Sequence, residues 1–293
     1  MRRGSLTVRY ARACSLNRAG QESGTLLARA RKTAAWWDDF WRHRPAAHGR
    51  SVTCRRTAEE ALSLLAPEVE RLSPRVSRAS GSGSRLRVLD LGCGDGEITE
   101  LLLANPRLDL VAIDLSAEAL GQFRRRLRGH PGRPPPLLRA SVYELPFSDA
   151  AFDAVVSFGY ASAASYSGAQ LELARVLRPG GVALVDFANP SLYHWLAEAR
   201  GTLRWYRRYR RPSDGLYHFG RRGLAAHFHS ADLALEAVRY LNAYPPLGAA
   251  VDSPGWVALD RLLASLLGPM LGRVLLAKLR RRDDSQCDRL RAL

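Results

Sequence analysis

The sequence predicts an α/β fold, a mostly parallel sheet whose strands are joined by crossover helices, and three observations carry that prediction. From Leu86 onward, short apolar runs alternate with helical segments, which is the pattern of a parallel sheet. The strand Val88-Leu89-Asp90-Leu91 runs straight into Gly92-Cys93-Gly94-Asp95-Gly96, a glycine-rich turn that opens a helix. A second strand ends on an acid, Asp114, eighteen residues after Gly96.

Taken in order, residues 1–35 form a basic leader with several arginines and serines, Glu22 as the only acid, and no apolar segment of the secretory kind. An organellar transit peptide (mitochondrial or plastid), an overextended start and a disordered leader all fit it; the last, with a cytoplasmic protein, is the expectation. Residues 36–84 read as a helical extension and linker. In it, Trp36-Trp37-Asp38-Asp39-Phe40-Trp41 places Trp37, Phe40 and Trp41 at near-helical spacing, for which core packing is the plainer role and a lid over a ligand the sharper one. Thr57 to Leu72 is a second helix, with a capping-box pattern at Thr57 and Glu60 and an apolar stripe of Ala61, Leu62, Leu64 and Leu65. Ala79 to Ser84, rich in glycine and serine, marks the boundary before the main domain, 85–293.

Within that domain the strands are expected at Arg87 to Leu91, Asp109 to Asp114, Leu137 to Ala140, Ala154 to Ser157 and Val182 to Phe187. Helices are expected at Gly96 to Leu103, Ala117 to Leu127 and Gln170 to Leu177, with Gly180-Gly181 as the stop and turn before the next strand. An arginine- and aromatic-rich insertion follows at about 191–222, then a helix near Arg222 to His229, a strand near Leu235 to Tyr240, and a tail helix leading to a final strand, Arg273 to Lys278.

Composition narrows the possibilities. The four cysteines, Cys14, Cys54, Cys93 and Cys287, form no C-x-x-C pair, so neither a zinc cluster nor a disulfide framework is indicated and no metal is expected. The longest apolar candidate, Leu262 to Gly272, is flanked by Asp260, Arg261 and Arg273 and is too short to span a bilayer. The formal charge of +16 is concentrated in the N-terminal third and in Arg204-Trp205-Tyr206-Arg207-Arg208-Tyr209-Arg210-Arg211. Such a patch suits RNA, an anionic membrane or an acidic substrate, and equally suits solvated surface.

The glycine loop needs small residues because a ligand must approach its backbone and because a tight strand-to-helix turn takes positive φ. A nucleotide-like ligand is implied, with the Asp114 carboxylate accepting from ribose hydroxyls. The spacing is G-x-G-x-G, and Glu97 stands where a nicotinamide dinucleotide site would carry its third glycine. Hydride transfer is therefore disfavoured, and a ligand without a pyrophosphate fits better. Asp90, at the strand end, can attract a cationic amino group.

Val88 to Gly96 resembles motif I of the class I S-adenosylmethionine-dependent methyltransferases, and Asp114-Leu115-Ser116 resembles their ribose-binding motif. Glu144-Leu145-Pro146-Phe147-Ser148-Asp149 with Phe152-Asp153, and Glu172 to Gly181, resemble two further segments of the ubiquinone and menaquinone biosynthesis type. The resemblance covers about Arg85 to Pro190. It implies a Rossmann-like seven-stranded sheet with the last strand antiparallel, and S-adenosylmethionine as cofactor. It implies a cofactor site at Asp90, Gly92, Cys93, Gly94, Gly96, Asp114, Leu115, Ser141, Val142, Ser157 and Phe158. Ser141 stands where the family commonly has an acid for the adenine amino group.

The acceptor is implied to be small or lipid-like, met by loops after the fourth and fifth strands: Tyr160, Tyr166, Tyr193, His194, Tyr217 and His218. Tyr160, His194 and His218 are the candidates for a catalytic base, each also readable as structural. An RNA acceptor bound by 204–211 and a non-catalytic binding protein are the alternatives; Ser157-Phe158-Gly159-Tyr160 in place of an N-P-P-Y-like motif counts against RNA. The apolar tail, Leu262 to Leu275, is expected to cover the sheet, with substrate or peripheral membrane contact as its other use.

Overall fold

The computed structural model describes residues 33–44, 52–80, 85–130, 132–158, 168–189, 192, 221–229, 231–243, 254–272 and 274–283. Among the described residues, two helices precede the sheet. The first, α1 (Ala34–His43), starts at Thr33, whose hydroxyl accepts the Trp36 N–H at 3.2 Å. The second, α2 (Val52–Ser80), is longer than expected at both ends. Thr57 is therefore a buried residue inside the helix and not its cap. The local capping signal is overridden where buried Arg56, one residue before Thr57, pairs with Asp260 and keeps the preceding turn in the helix, since tertiary packing decides helix extent more than propensity does.

The sheet has seven strands in the order β3-β2-β1-β4-β5-β7-β6. Along the chain these are β1 (Leu86–Leu91), β2 (Leu108–Asp114), β3 (Leu137–Arg139), β4 (Phe152–Ser157), β5 (Leu177–Ala188), β6 (Leu233–Leu241) and β7 (Val274–Arg281). The connecting helices are α3 (Glu97–Leu103), α4 (Ala117–Arg126), α5 (Ala169–Val176), α6 (Arg221–His229) and α7 (Pro254–Leu271). Strands β1 to β5 pair in parallel, and β7 runs antiparallel between β5 and β6. The strand order reverses between β1 and β4, so a crevice opens beyond Leu91 and Ser157, the place where open α/β sheets bind ligands.

Alternate residues of the strands feed two cores. Leu89, Leu91, Val155, Leu275 and Ala277 pack with α5 and α6 through Leu173, Val176 and Phe228. Val88, Val156, Leu184 and Leu276 pack with α2 and α3 through Ala61, Leu65 and Leu102. Burial on both faces explains why these strands read as unbroken apolar runs.

The Gly180-Gly181 turn is placed differently from expectation. Strand β5 already pairs at Leu177, opposite Phe152, and resumes at Val182, opposite Ala154, so the glycines lie in a bulge within the strand. Gly180 has φ +73°, and a Cβ on Gly181 would lie 2.9 Å from the carbonyl oxygens of both Arg178 and Asp153. Glycine is what lets the chain loop out there without breaking the pairing on either side.

Charged groups tie the N-terminal helix to the far end of the chain. The buried carboxylate of Glu68 on α2 accepts from Lys278 Nζ at 2.7 Å and from Arg280 at 2.6 Å, both on β7. Burial alone would raise this carboxyl, but hydrogen bonds from Arg280 and Lys278 outweigh it and hold it at about 2. Arg56 of α2 pairs with Asp260 of α7, and both are buried.

Candidate active site

The loop after β1 is built by its neighbours. Gly92 and Cys93 both donate N–H to the Ile113 carbonyl at 2.9 Å, pinning the loop to the end of β2. Gly92, Gly94 and Gly96 all have positive φ, +78°, +58° and +78°, a region that costs any other L-residue roughly 1–2 kcal/mol. Gly96 caps α3 without a side chain, and a Cβ there would overlap the fully buried Phe123 ring.

Two carboxylates face this loop. Asp114 receives the Gly94 N–H at 2.9 Å on one oxygen and the Ser116 N–H at 2.8 Å on the other. Asp90 is buried and accepts the Thr99 hydroxyl. Burial pushes Asp90 up to about 7, the charge of Asp114 adding to the rise and the Thr99 hydrogen bond opposing it. Burial likewise pushes Asp114 up to about 6, against hydrogen bonds from Ser116 and Gly94, with the charge of Asp38 adding to the rise. The Cys93 thiol is driven well above its ordinary range by burial and by Asp90 and Asp114, so it is no nucleophile at neutral pH.

Helix α1 lies on top of the loop. Asp38 accepts the Ser116 hydroxyl at 2.6 Å and the Glu118 N–H at 3.1 Å, at the start of α4. Gln122 of α4 donates to the Trp41 carbonyl at 3.0 Å. A Cβ on Gly94 would come within 2.6 Å of the Trp41 ring. Arg44 sits 4.6 Å from that ring and 3.5 Å from Asp95, which also receives Arg126 at 2.8 Å. The expectation of core packing for the aromatic cluster is corrected, because no residue of α1 is buried. Its Trp41 ring lies against Gly94 of the glycine loop instead. Asp38 and Arg44 were not legible as site residues, since one aspartate beside tryptophans carries no local motif. Thr99 left a faint signal, a hydroxyl in the first turn of the helix that the glycines open.

The remaining expected cofactor residues fall around the crevice. Leu115, Ser141 and Val142 are half-buried. Ser141 Oγ accepts the Tyr143 N–H at 3.2 Å, closing its own turn. Ser157 is buried and donates its hydroxyl to the Leu91 carbonyl at 2.8 Å, fastening the ends of β4 and β1 together; Phe158 beside it is also buried. Tyr160, Tyr166, Tyr193, His194, Tyr217, His218 and the 204–211 patch lie outside the described residues.

The two remaining motif segments hold each other. Arg175 on α5 donates to the carbonyls of Phe147 at 2.7 Å and Leu145 at 3.0 Å, and to Asp149 and Glu172. Glu172 in turn accepts the Leu145 N–H at 2.8 Å. These bonds clamp the segment after β3 to α5. Arg175→Ala removes a donor shared by two carbonyls and two carboxylates, so we expect a loss of about 2 kcal/mol in urea unfolding. A loss under about 0.5 kcal/mol would show that the clamp is dispensable.

Residues 88–181 match the family model described as "Methyltransferase domain". The chain is 37% identical over 107 residues to the demethylmenaquinone methyltransferase of Thermus thermophilus, covering 36% of this chain and 48% of that protein. It is 30% identical over 173 residues to the malonyl-(acyl-carrier protein) O-methyltransferase of Legionella pneumophila, covering 58% of this chain and 60% of that one. The chain thus spans about half the length of the curated relatives it matches. The crystal structure of Burkholderia thailandensis 1,6-didemethyltoxoflavin-N1-methyltransferase superposes with a TM-score of 0.53 at 15% identity, over 89% of this chain and 90% of that one, a likeness of fold. Sheet order and glycine loop agree with the matched segment, a methyltransferase domain over residues 88–181.

Proposed function

We propose that this protein transfers a methyl group from S-adenosylmethionine to a small or lipid-like acceptor by in-line displacement. The observation that carries the reading is the pair of carboxylates, Asp90 and Asp114, set at a positive-φ glycine loop whose Gly94 N–H one of them already receives. S-adenosylmethionine brings an ammonium and ribose hydroxyls to these carboxylates, beside its sulfonium. When bound, it supplies a methyl group already activated for displacement.

The chain's own residues divide the binding. Asp114 accepts from the ribose hydroxyls and Asp90 attracts the ammonium. The glycines at 92, 94 and 96, with Cys93, leave the backbone open to close approach. Ser141 and Val142 border the adenine with Leu115, while Ser157 and Phe158 form the floor on β4. Rate acceleration then rests mainly on alignment, with a base needed only if the acceptor must lose a proton, a role for which Tyr160, His194 and His218 remain the candidates. The scattered cysteines support a reducing, cytoplasmic setting.

Titration calorimetry with S-adenosylmethionine across pH and in buffers of different ionisation enthalpy tests the cofactor site. Both carboxyls titrate above their ordinary value of 3.8, so their contribution favours the unliganded fold at low pH, and a cationic ligand favours the ionised forms. Affinity should therefore fall as pH drops through about 7 and then about 6, by up to roughly tenfold per unit, with proton release on binding near neutral pH. Absence of binding would favour a non-catalytic protein. A labelled-methyl transfer screen over lipid, quinone, small-metabolite and RNA extracts tests the acceptor class, and label entering RNA alone would overturn it.

A further inference from the structure

Helix α1 touches both residues whose amides hold Asp114. The Asp114 carboxylate receives the Gly94 N–H on one oxygen and the Ser116 N–H on the other. Trp41 of α1 lies where a Cβ on Gly94 would go, and Asp38 of α1 accepts the Ser116 hydroxyl at 2.6 Å.

Ser116 is fully buried and its hydroxyl is used twice, donating to Asp38 and accepting the Ala119 N–H at 3.1 Å. The same Asp38 oxygen accepts the Glu118 N–H at 3.1 Å. The first turn of α4 is thus capped partly by its own serine and partly by a carboxylate 78 positions before that serine. The other Asp38 oxygen lies 3.8 Å from Arg139, whose Nε donates to the Leu115 carbonyl at 3.0 Å. Each residue of Asp114-Leu115-Ser116 is therefore tied to Asp38, directly or through one partner.

We propose that Asp38 is a positioning residue of the cofactor site: from α1 it fixes Ser116, and through Ser116 the orientation of the Asp114 carboxylate that meets the ribose. A residue outside the matched segment, 88–181, thereby governs the site inside it. The ribose contact rests on the proposed function, whereas the hold of Asp38 on Asp114 needs no ligand. Charge gives this hold a second readout. The titratable and charged groups placed about Asp114 are Asp90 and Cys93 from β1 and its loop, Asp38 from α1, Arg139 from β3 and Glu118 from α4. Glu118 is bonded to Gln122 and Arg125. Burial alone would raise the Asp38 carboxyl, but hydrogen bonds from Ser116 and Glu118 and the charge of Arg139 outweigh it and hold it below its ordinary value. Asp38 is thus ionised wherever Asp114 titrates, and a like charge favours the protonated form of its neighbour.

The test compares Asp38→Ala and Asp38→Asn in the full chain. Asparagine keeps an acceptor oxygen for Ser116 and Glu118 and removes the charge; alanine removes both. In carboxyl-carbon NMR of the unliganded protein, Asp38→Asn should move the Asp114 midpoint, about 6 in the wild type, to lower pH. In calorimetry at about pH 8, where Asp114 is ionised, Asp38→Ala should bind S-adenosylmethionine at least roughly tenfold more weakly, and Asp38→Asn should recover most of that loss. Asp39→Ala, one position on and exposed, removes a charge from the same helix and should change neither readout. An Asp114 midpoint that stays in place in Asp38→Asn overturns the proposal, and so does an alanine variant that binds as tightly as wild type. An asparagine variant as weak as the alanine one would show a role of charge alone and overturn the positioning. If Asp38→Ala misfolds, the asparagine midpoint still decides. If wild type binds no S-adenosylmethionine, the proposed function fails, and the midpoint alone decides whether Asp38 holds Asp114.

Discussion

Gly96→Ala is expected to cost the fold roughly 3–5 kcal/mol. Two effects add: the strain of an L-residue at positive φ, and overpacking against a ring that cannot retreat. The φ of +78° supplies the first, and the overlap with Phe123, wholly buried on α4, supplies the second. Gly129 is the matched control, with φ +81° and nothing within 4 Å of its would-be Cβ. Gly129→Ala should therefore lose only the strain, roughly 1–2 kcal/mol. Urea midpoints of the two variants separate the contributions, and equal losses would show that Phe123 yields.

Asp114→Ala should lower affinity for S-adenosylmethionine by about a hundredfold or more, close to 2.7 kcal/mol, because a charged acceptor for two hydroxyls is removed. The same change frees the N–H groups of Gly94 and Ser116, so a stability loss of about 1–2 kcal/mol should accompany it. Calorimetry below the unfolding range distinguishes the two. The variant should also lose the lower of the two steps in the pH dependence, near 6. Affinity within about threefold of wild type would move the ribose contact away from β2.

The part of this site that could be read from sequence is the part built by neighbours in sequence. The loop from Asp90 to Gly96 and the acid at Asp114 are each encoded within a few residues of a strand end, because a strand-to-helix turn has local steric demands. The bulge at Gly180 and Gly181 was recognisable as a chain reversal but not as a bulge. Whether a turn ends a strand or interrupts it depends on what β4 pairs with on either side. Asp38, Trp41 and Arg44 belong to the site only because α1 folds back over residues more than fifty positions away. No local pattern records such a contact, and the aromatic cluster announced only that something apolar must be covered. The start of α2 escaped for a related reason: its capping signal was real in kind but was outvoted by the pairing of Arg56 with Asp260, two hundred positions away.

The position of β7 bears on how the chain assembles. This strand is the last of the seven to be synthesised, yet it lies between β5 and β6, and its Lys278 and Arg280 grip Glu68 on α2. During vectorial synthesis the half of the sheet from β1 to β5 can form as it emerges, while β6 has no neighbour to pair with. The bare edge of β5 and two of the cations that hold Glu68, Lys278 and Arg280, must wait for the same eight-residue segment. Completion of the sheet, burial of that charge and retention of α2 are thus a single late event, and a nascent chain halted before Val274 would be left with an open edge ready to recruit other strands.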